Sequence, residues 1–403
     1  MKWLDELFKY DSSKTVCGLT SELIAEYIVH YYNHYKKDVI VLANSLYEAN
    51  NIYKQIKTYV DECLLFPMDD FITSVAIAIS PDFELKRLEV LEKLKKENKK
   101  HIVVTSLMGY LKYLPNVNDE QDFLIDPSPS IISREIILDK LDQFGYKKSS
   151  IVTSTGEYAV RGYIIDIFPG QANMPVRLEL FGDEVEKIKE FDPDTQLSTR
   201  GIDKIEIKKM CETTASTPSK LIDYMDNCSL FLLNDSQISA AYEKLCSDML
   251  QYRIDKGLPQ NHEFMFDYNS IYVKDTYKID TLNLYKGNNY LAYDSKEIEN
   301  FKSDFDKLQK YCKEMCRGNT IIFVLNKDKQ IKKISDLFPD ALYIKNDIPI
   351  NNHINILKSV INKGYIINNY IVITPFDIEN TKTIEINTKL IIELGKKLKL
   401  LMI

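Results

Sequence analysis

The sequence is short of the residues that mark most recognisable chemistry. Glycine and proline number only 13 each in 403 residues while Lys, Asn, Ile and Tyr abound, a skew that reads as coding bias. The seven cysteines (Cys17, Cys63, Cys211, Cys228, Cys246, Cys312, Cys316) are odd in number and scattered, so no disulfide framework is drawn. The opening MKWLDELFKYDSS has no apolar core of a signal peptide, and no run approaches the roughly 18 apolar residues of a membrane span. The expectation is a cytoplasmic chain with reduced thiols and no membrane contact. Excess positive charge is missing too: the net charge of −7 argues against a chain that binds nucleic acid by electrostatics as a whole.

Catalytic signatures are equally absent. A phosphate-binding loop needs glycines whose amides cradle phosphate, a lysine for the charge and a Ser/Thr for Mg²⁺. Gly18-Leu19-Thr20-Ser21-Glu22-Leu23 has no second glycine and no lysine, and it sets a carboxylate where phosphate would lie. No magnesium-holding strand accompanies it, because Leu64–Asp70 is broken by Pro67. There is no G-x-S-x-G elbow and no supported Cys/His pair. His30 and His34 stand one helical turn apart without the glutamate of a zinc-protease motif, and Cys312 and Cys316 lack a second pair, so no metal site is drawn. The basic run Lys93–Lys100 is explained by a helix C-terminus and solvation. The reading is a non-enzyme with no cofactor and no metal.

What the chain does have is pattern. Hydrophobic residues at 45% and charged residues at 28% fit a globular protein of about two to four domains. Residues 1–115 alternate strands (Thr15–Leu19, Asp38–Ala43, His101–Thr105) with helices (Ser21–Tyr35, Ser45–Tyr59, one capped by Ser80, Ser106–Leu114), which predicts a parallel sheet. A polar boundary at 116–130 and a helix at Ser133–Phe144 lead into the densest strand signal of the chain, Glu157–Gln196. There Tyr158–Phe168, Val176–Phe181 and a third run to Phe191 are bounded by Pro169-Gly170 and Gly182-Asp183, as in an antiparallel meander. After an irregular stretch from 209 to 290, α/β pattern returns with helices Lys296–Cys316 and Asp328–Leu337 and strands at Thr320–Leu325, Leu342–Ile344 and Tyr370–Thr374. The final KLIIELGKKLKLLMI is an amphipathic basic tail or linker.

Strand Val176–Phe181 is the informative one. Alternation puts Val176, Leu178 and Leu180 on one face and Arg177, Glu179 and Phe181 on the other. A phenylalanine on the polar face beside an arginine is the composition of a protein-binding hot spot. The competing reading has Phe181 tucked beneath a loop and Arg177 paired with Glu179 or Asp183.

The motifs of this stretch carry a resemblance. Gly156-Glu157-Tyr158, Arg161-Gly162, Ile164–Pro169, Arg177-Leu178-Glu179, Phe181–Glu186 and Phe191-Asp192…Thr195-Gln196 resemble the domain shared by UvrB and the bacterial transcription-repair coupling factor. Outside it, Phe66-Pro67…Asp70-Phe71, Ala76–Pro81 and Arg87–Leu91 look like the first domain of that family, and Gly364…Ile373 like the coupling factor's third. The degenerate Gly18-Leu19-Thr20-Ser21 favours the N-terminal region of the coupling factor over UvrB, which keeps a working loop.

The resemblance implies an α/β multidomain architecture. A degenerate RecA/UvrB-like parallel-sheet domain (domain 1a) spans 1–122, and an irregular stretch like the family's domain 1b spans 209–290. An inserted α+β UvrA-interaction domain with an antiparallel sheet covers 123–208. A further small α/β domain covers 291–385, and a tail 386–403. It also implies a non-catalytic adaptor that binds UvrA through Arg161, Arg177 and Phe181 and recruits it to stalled transcription. RNA polymerase and DNA would be partners only through family regions absent from these 403 residues. Two alternatives stand beside it: a UvrB-type damage-binding ATPase subunit, and a structural remnant without a partner.

Overall fold

The computed structural model describes residues 3–69, 81–119, 122–127, 132–170, 172–212, 217–257, 259, 265–270, 272–281, 287–344 and 348–379. The expected cap at Ser80, the family motif Phe71 and Ala76–Ile79, and the basic tail from 389 lie outside these residues. So do residues 120, 121 and 128–130 of the expected 116–130 boundary.

The chain opens with α1 (Trp3–Leu7), β1 (Thr15–Cys17), α2 (Ser21–Tyr35), β2 (Val39–Ala43) and α3 (Leu46–Lys57). It continues through β3 (Cys63–Phe66), α4 (Pro81–Lys96), β4 (Ile102–Ser106) and α5 (Leu107–Leu111). The inserted unit comprises β5 (Asp122–Ile125), α6 (Arg134–Gln143), β6 (Lys147–Lys148), β7 (Glu157–Arg161), β8 (Ile164–Ile167), β9 (Val176–Phe181), β10 (Glu184–Phe191), β11 (Ser198–Ile202) and β12 (Ile205–Lys208). The first layer then resumes with β13 (Ser229–Leu233), α7 (Asp235–Lys256), β14 (Thr276–Asp280) and β15 (Tyr290–Ala292). The last unit holds β16 (Ser295–Glu297), α8 (Phe305–Met315), β17 (Thr320–Leu325), α9 (Asp328–Leu337), β18 (Leu342–Tyr343), β19 (Ile354–Lys358), β20 (Tyr365–Ile367), β21 (Tyr370–Ile373) and α10 (Pro375–Ile378).

The first sheet is parallel in the order β15-β1-β14-β13-β2-β4-β3. Its inner strands β2, β4 and β13 are buried at every residue, as apolar runs covered by helices on both faces must be. The helices begin where side chains satisfy free amides: Thr20, Ser45, Ser133 and Asp304 each accept from the backbone N–H three residues on. Between these halves β5 and β12 pair as an antiparallel stalk, which carries a six-stranded sheet in the order β11-β10-β9-β8-β7-β6. The third sheet, β16-β20-β21-β17-β19-β18, is mixed.

The α/β reading and the antiparallel meander hold, and helix Ser21–Tyr35 is found with the same bounds. Two expectations need correction. Lys296–Cys316 is not one helix: Lys296 pairs in β16 opposite Ile366, Lys302 and Ser303 take positive φ, and Asp304 caps a helix beginning only at Phe305. The stretch 209–290 is not irregular, because β13 and β14 stand in the middle of the first sheet and α7 runs for 22 residues. The break at Pro67 falls where expected, since β3 ends at Phe66, the residue before it.

Burial ties the units together. Arg87, fully buried on α4, donates Nε and Nη2 to the Glu212 carboxylate beyond β12 at 2.6 and 2.7 Å, and Nη1 to Pro67 O at 2.8 Å. Ile322 and Val324 of β17 join the core formed by Leu23, Tyr27 and Val41, while Ile321, Phe323 and Leu325 face the third unit's own core. Within that shared core Glu26 accepts from Tyr365 Oη at 2.7 Å and from Tyr59 at 3.2 Å, and Glu22 from Tyr59 and the Asn362 side chain. Neither carboxylate has a cation beside it in these contacts, so burial raises the pKa of both, that of Glu26 to about 8.

Candidate protein-docking face

The six-stranded sheet buries one face against α6. Ile165, Ile167, Val176, Leu178, Leu180, Val185 and Ile188 point there and close over Ile137 and Leu141. The opposite face has two parts. At one end Val152, Ala159 and Phe191 make a small buried cluster with Phe168 against it. The other end is polar and open and carries Phe181 and Arg161, while Arg177 stands between the two parts, level with Ala159.

Phe181 ends β9 with 81% of its surface exposed, so it is not tucked under a loop. Arg177 pairs with neither Glu179 nor Asp183. Its Nε and Nη2 donate to the two oxygens of Asp166 at 2.7 and 3.0 Å, and Nη1 to Gln196 O at 3.1 Å. The guanidinium also lies 4.7 Å from the centre of the Phe191 ring. Glu179 instead binds Lys189 at 2.7 Å. Arg161 reaches the same Asp166 through Nη2 at 2.5 Å.

Asp166 is thus the centre of the face. It is fully buried on β8, opposite Arg177 in the β8–β9 register and diagonal to Arg161 across the β7–β8 pair. Its hydrogen bonds push the pKa of Arg177 up further. A forked guanidinium on a buried carboxylate is rigid and geometrically specific. Arg177 keeps 14% of its side chain exposed and has its donors engaged, while Arg161 keeps 46%. The outward-facing groups are therefore Phe181 and Arg161, with Arg177 beneath them as a brace.

Sequence reading quoted Asp166 within a motif but gave it no role. The signal was present. If Gly162-Tyr163 is a two-residue turn, Asp166 falls on the same face as Arg161, since Ile165 and Ile167 take the other. The face carries Arg161, Arg177, Lys187 and Lys189 together with Asp166, Glu179 and Glu184, the last opposite Phe181, so it is mixed in charge. Arg161, the half-exposed cation among them, suits a carboxylate of a partner.

The other constellations resolve as structure. Gly18 (φ +81°) packs against the backbone of Tyr293, whose carbonyl lies 1.8 Å from where a Cβ would stand. Thr20 N–H donates to Ser295 Oγ at 2.9 Å, and Ser295 Oγ donates to Gly18 O at 2.6 Å. The loop Gly18-Leu19-Thr20-Ser21 is thus occupied by the chain's own segment 293–295. His30 sits between Asp5 and Tyr10, each 2.7 Å away, and Cys312 is core, with its thiol pKa pushed up to about 12 by burial. In the basic run Lys96 pairs with Asp122 at 2.6 Å and Lys100 with Asp38 at 3.0 Å. Among the described residues no cluster of metal-binding side chains occurs, and no helix is long and apolar enough to cross a membrane.

Residues 129–209, the span of this sheet and its helix, match the family model of the UvrB interaction domain. The chain is 32% identical over 243 residues to the transcription-repair-coupling factors of Staphylococcus epidermidis and Staphylococcus haemolyticus, covering 60% of this chain and 20% of each relative. With that of Staphylococcus aureus it shares 30% over 234 residues, 57% of this chain and 19% of the relative. These findings bear out the resemblance to the UvrB-like region of the coupling factor. The matched stretch spans about a fifth of the length of these curated relatives.

Proposed function

We propose that this relative of the transcription-repair-coupling factors is a non-catalytic adaptor of DNA repair. Its inserted sheet docks UvrA, and the adaptor brings UvrA to stalled RNA polymerase in the cytoplasm. The observation that carries the reading is Phe181. It is a large apolar side chain, 81% exposed, on the face that carries Arg161 and Arg177 in a domain matched as an interaction module. Exposed aromatics beside arginines are the usual anchors of protein interfaces.

In this reading Phe181 enters an apolar pocket and Arg161 offers its remaining donors to carboxylates of UvrA. Arg177 holds the face through Asp166 and Phe191. The interface is of modest area, with affinity concentrated in few residues. The filling of the Gly18 loop by Tyr293–Ser295 speaks for an adaptor over a UvrB-type ATPase, since a nucleotide there would have to displace a strand connection.

The test is binding of the full chain to purified UvrA from the same organism by biolayer interferometry. Phe181→Ala is expected to lose about 2 kcal/mol, about 30-fold in Kd, with an unchanged melting temperature. Unchanged affinity sinks the assignment, and saturable ATP binding by the chain would favour the ATPase instead.

A further inference from the structure

Among the described residues of the inserted unit, the docking reading leaves one exposed aromatic unused. Tyr163 is 67% exposed and lies in the two-residue turn between β7 and β8, where Arg161 pairs with Ile164. The neighbouring turn, Gly182-Asp183, joins Phe181 to its partner Glu184 in the same way. Both turns start on a glycine of positive φ, Gly162 at +57° and Gly182 at +62°, with no atom within 4 Å of a Cβ position at either. Such turns take small polar residues at their centre for solvation and backbone geometry, and tyrosine serves neither.

The two tips are held against each other. Leu180 N–H donates to Tyr163 O at 2.8 Å, carrying the β8–β9 pairing to the residue before Phe181. Arg134, at the start of α6, clamps both: its backbone N–H donates to Asp183 O at 2.8 Å and its Nη1 to Gly162 O at 2.9 Å. By alternation Tyr163 leaves on the side of Leu180 and Phe181 on the other, so the two rings bracket the end of the sheet. Ordering of loops adds to the cost of docking, and a backbone already clamped leaves only the side chains to be ordered.

We propose that Tyr163 is a second anchor of the docking site, and that the partner grips the end of the sheet between the two rings. The inference rests on the UvrA-docking reading and specifies the partner's shape: an apolar cleft with carboxylates at its rim. Those carboxylates face Arg161 and Arg134. Single-stranded nucleic acid also stacks on aromatics beside arginines. The tips, however, carry Asp183 and Glu184 next to Phe181, which repel the unbroken row of phosphates along a strand. A protein, which can place its few carboxylates at Arg161 and Arg134 and none beside Asp183 and Glu184, fits better.

The experiment compares the full chain with Tyr163→Ala, Tyr163→Phe, Phe181→Ala and the double alanine variant, against purified UvrA from the same organism. A fluorescein-labelled single-stranded oligonucleotide runs in parallel. Tyr163→Ala is expected to weaken UvrA binding about tenfold, the measure of a hot-spot residue, and Tyr163→Phe to stay within about twofold. Thermal melts should superimpose, because an exposed turn residue supports no core. Tyr163→Ala within about twofold of wild type while Phe181→Ala loses tenfold would overturn the second anchor and leave the docking reading standing. If Phe181→Ala is also silent, the docking reading itself falls and the anchor with it. A Tyr163→Ala loss confined to the oligonucleotide would overturn the proposal in favour of a nucleic-acid contact.

Discussion

Replacing Asp166 by asparagine is the sharpest probe of how the docking face is held. The carboxylate is fully buried and takes three hydrogen bonds from two guanidiniums, at 2.5, 2.7 and 3.0 Å. Asparagine keeps the shape but removes the charge and turns an NH₂ group towards one arginine. Arg177, with 14% of its side chain exposed, is then left nearly buried without its counter-ion. Removing one partner of a buried pair costs about 3–5 kcal/mol, most of it the stranding of the remaining charge. Arg161 is 46% exposed, so its share is screened by water and adds little. The lower end, about 3 kcal/mol, is therefore expected. Because the chain has several cooperative units, the readout is hydrogen exchange of peptides covering β8 and β9, whose opening free energy should fall by that amount. The Asp166→Leu, Arg177→Leu pair should recover much of the loss, since an apolar pair strands no charge. If Asp166→Asn leaves exchange within about 0.5 kcal/mol of wild type, the buried carboxylate is not what holds the face.

Three further outcomes follow from the same structure. Glu26, with its pKa raised from 4.5 to about 8 by burial, binds a proton in the folded state that the unfolded chain releases above pH 4.5, so stability should fall as pH rises between those values. The slope is about 1.4 kcal/mol per pH unit, and Glu26→Gln should flatten it in urea titrations; an unaltered profile would refute the assignment. Arg87→Ala should cost about 3–5 kcal/mol by stranding Glu212, although Lys112 at 3.2 Å from that carboxylate offsets part of it, as a shift in thermal melting would record. Gly18→Ala should destabilise the chain by more than about 1 kcal/mol, because its backbone is left-handed and the new methyl meets Tyr293 O; a wild-type melting temperature would contradict the packing of that loop.

The apolar runs DVIVLA, HIVVT and TIIFVL declared buried parallel strands, and the alternation in Val176–Phe181 assigned faces correctly before any coordinates. Strand period and helix capping are local properties, so residues near in sequence suffice to determine them. The exposed Phe181 was legible for the same reason, as the aromatic on the polar face of its own strand.

Other features depended on partners far away in the chain. Ser229–Leu233 gave no clear signal within 209–290, yet it stands beside Val39–Ala43 at the centre of the first sheet, a pairing set by packing across nearly 200 residues. The start of the supposed helix at Lys296 became strand because β20 offered it an edge. Arg177 had two nearby acids to choose from in sequence and took neither. Adjacent residues on a strand point to opposite faces, and charges pair with what lies across the sheet. Composition and period determined the elements and the presence of a polar face with Phe181 on it. The tertiary structure alone decided that Asp166 lies beneath both arginines, because a buried charge must find its counter-ion in space rather than in sequence.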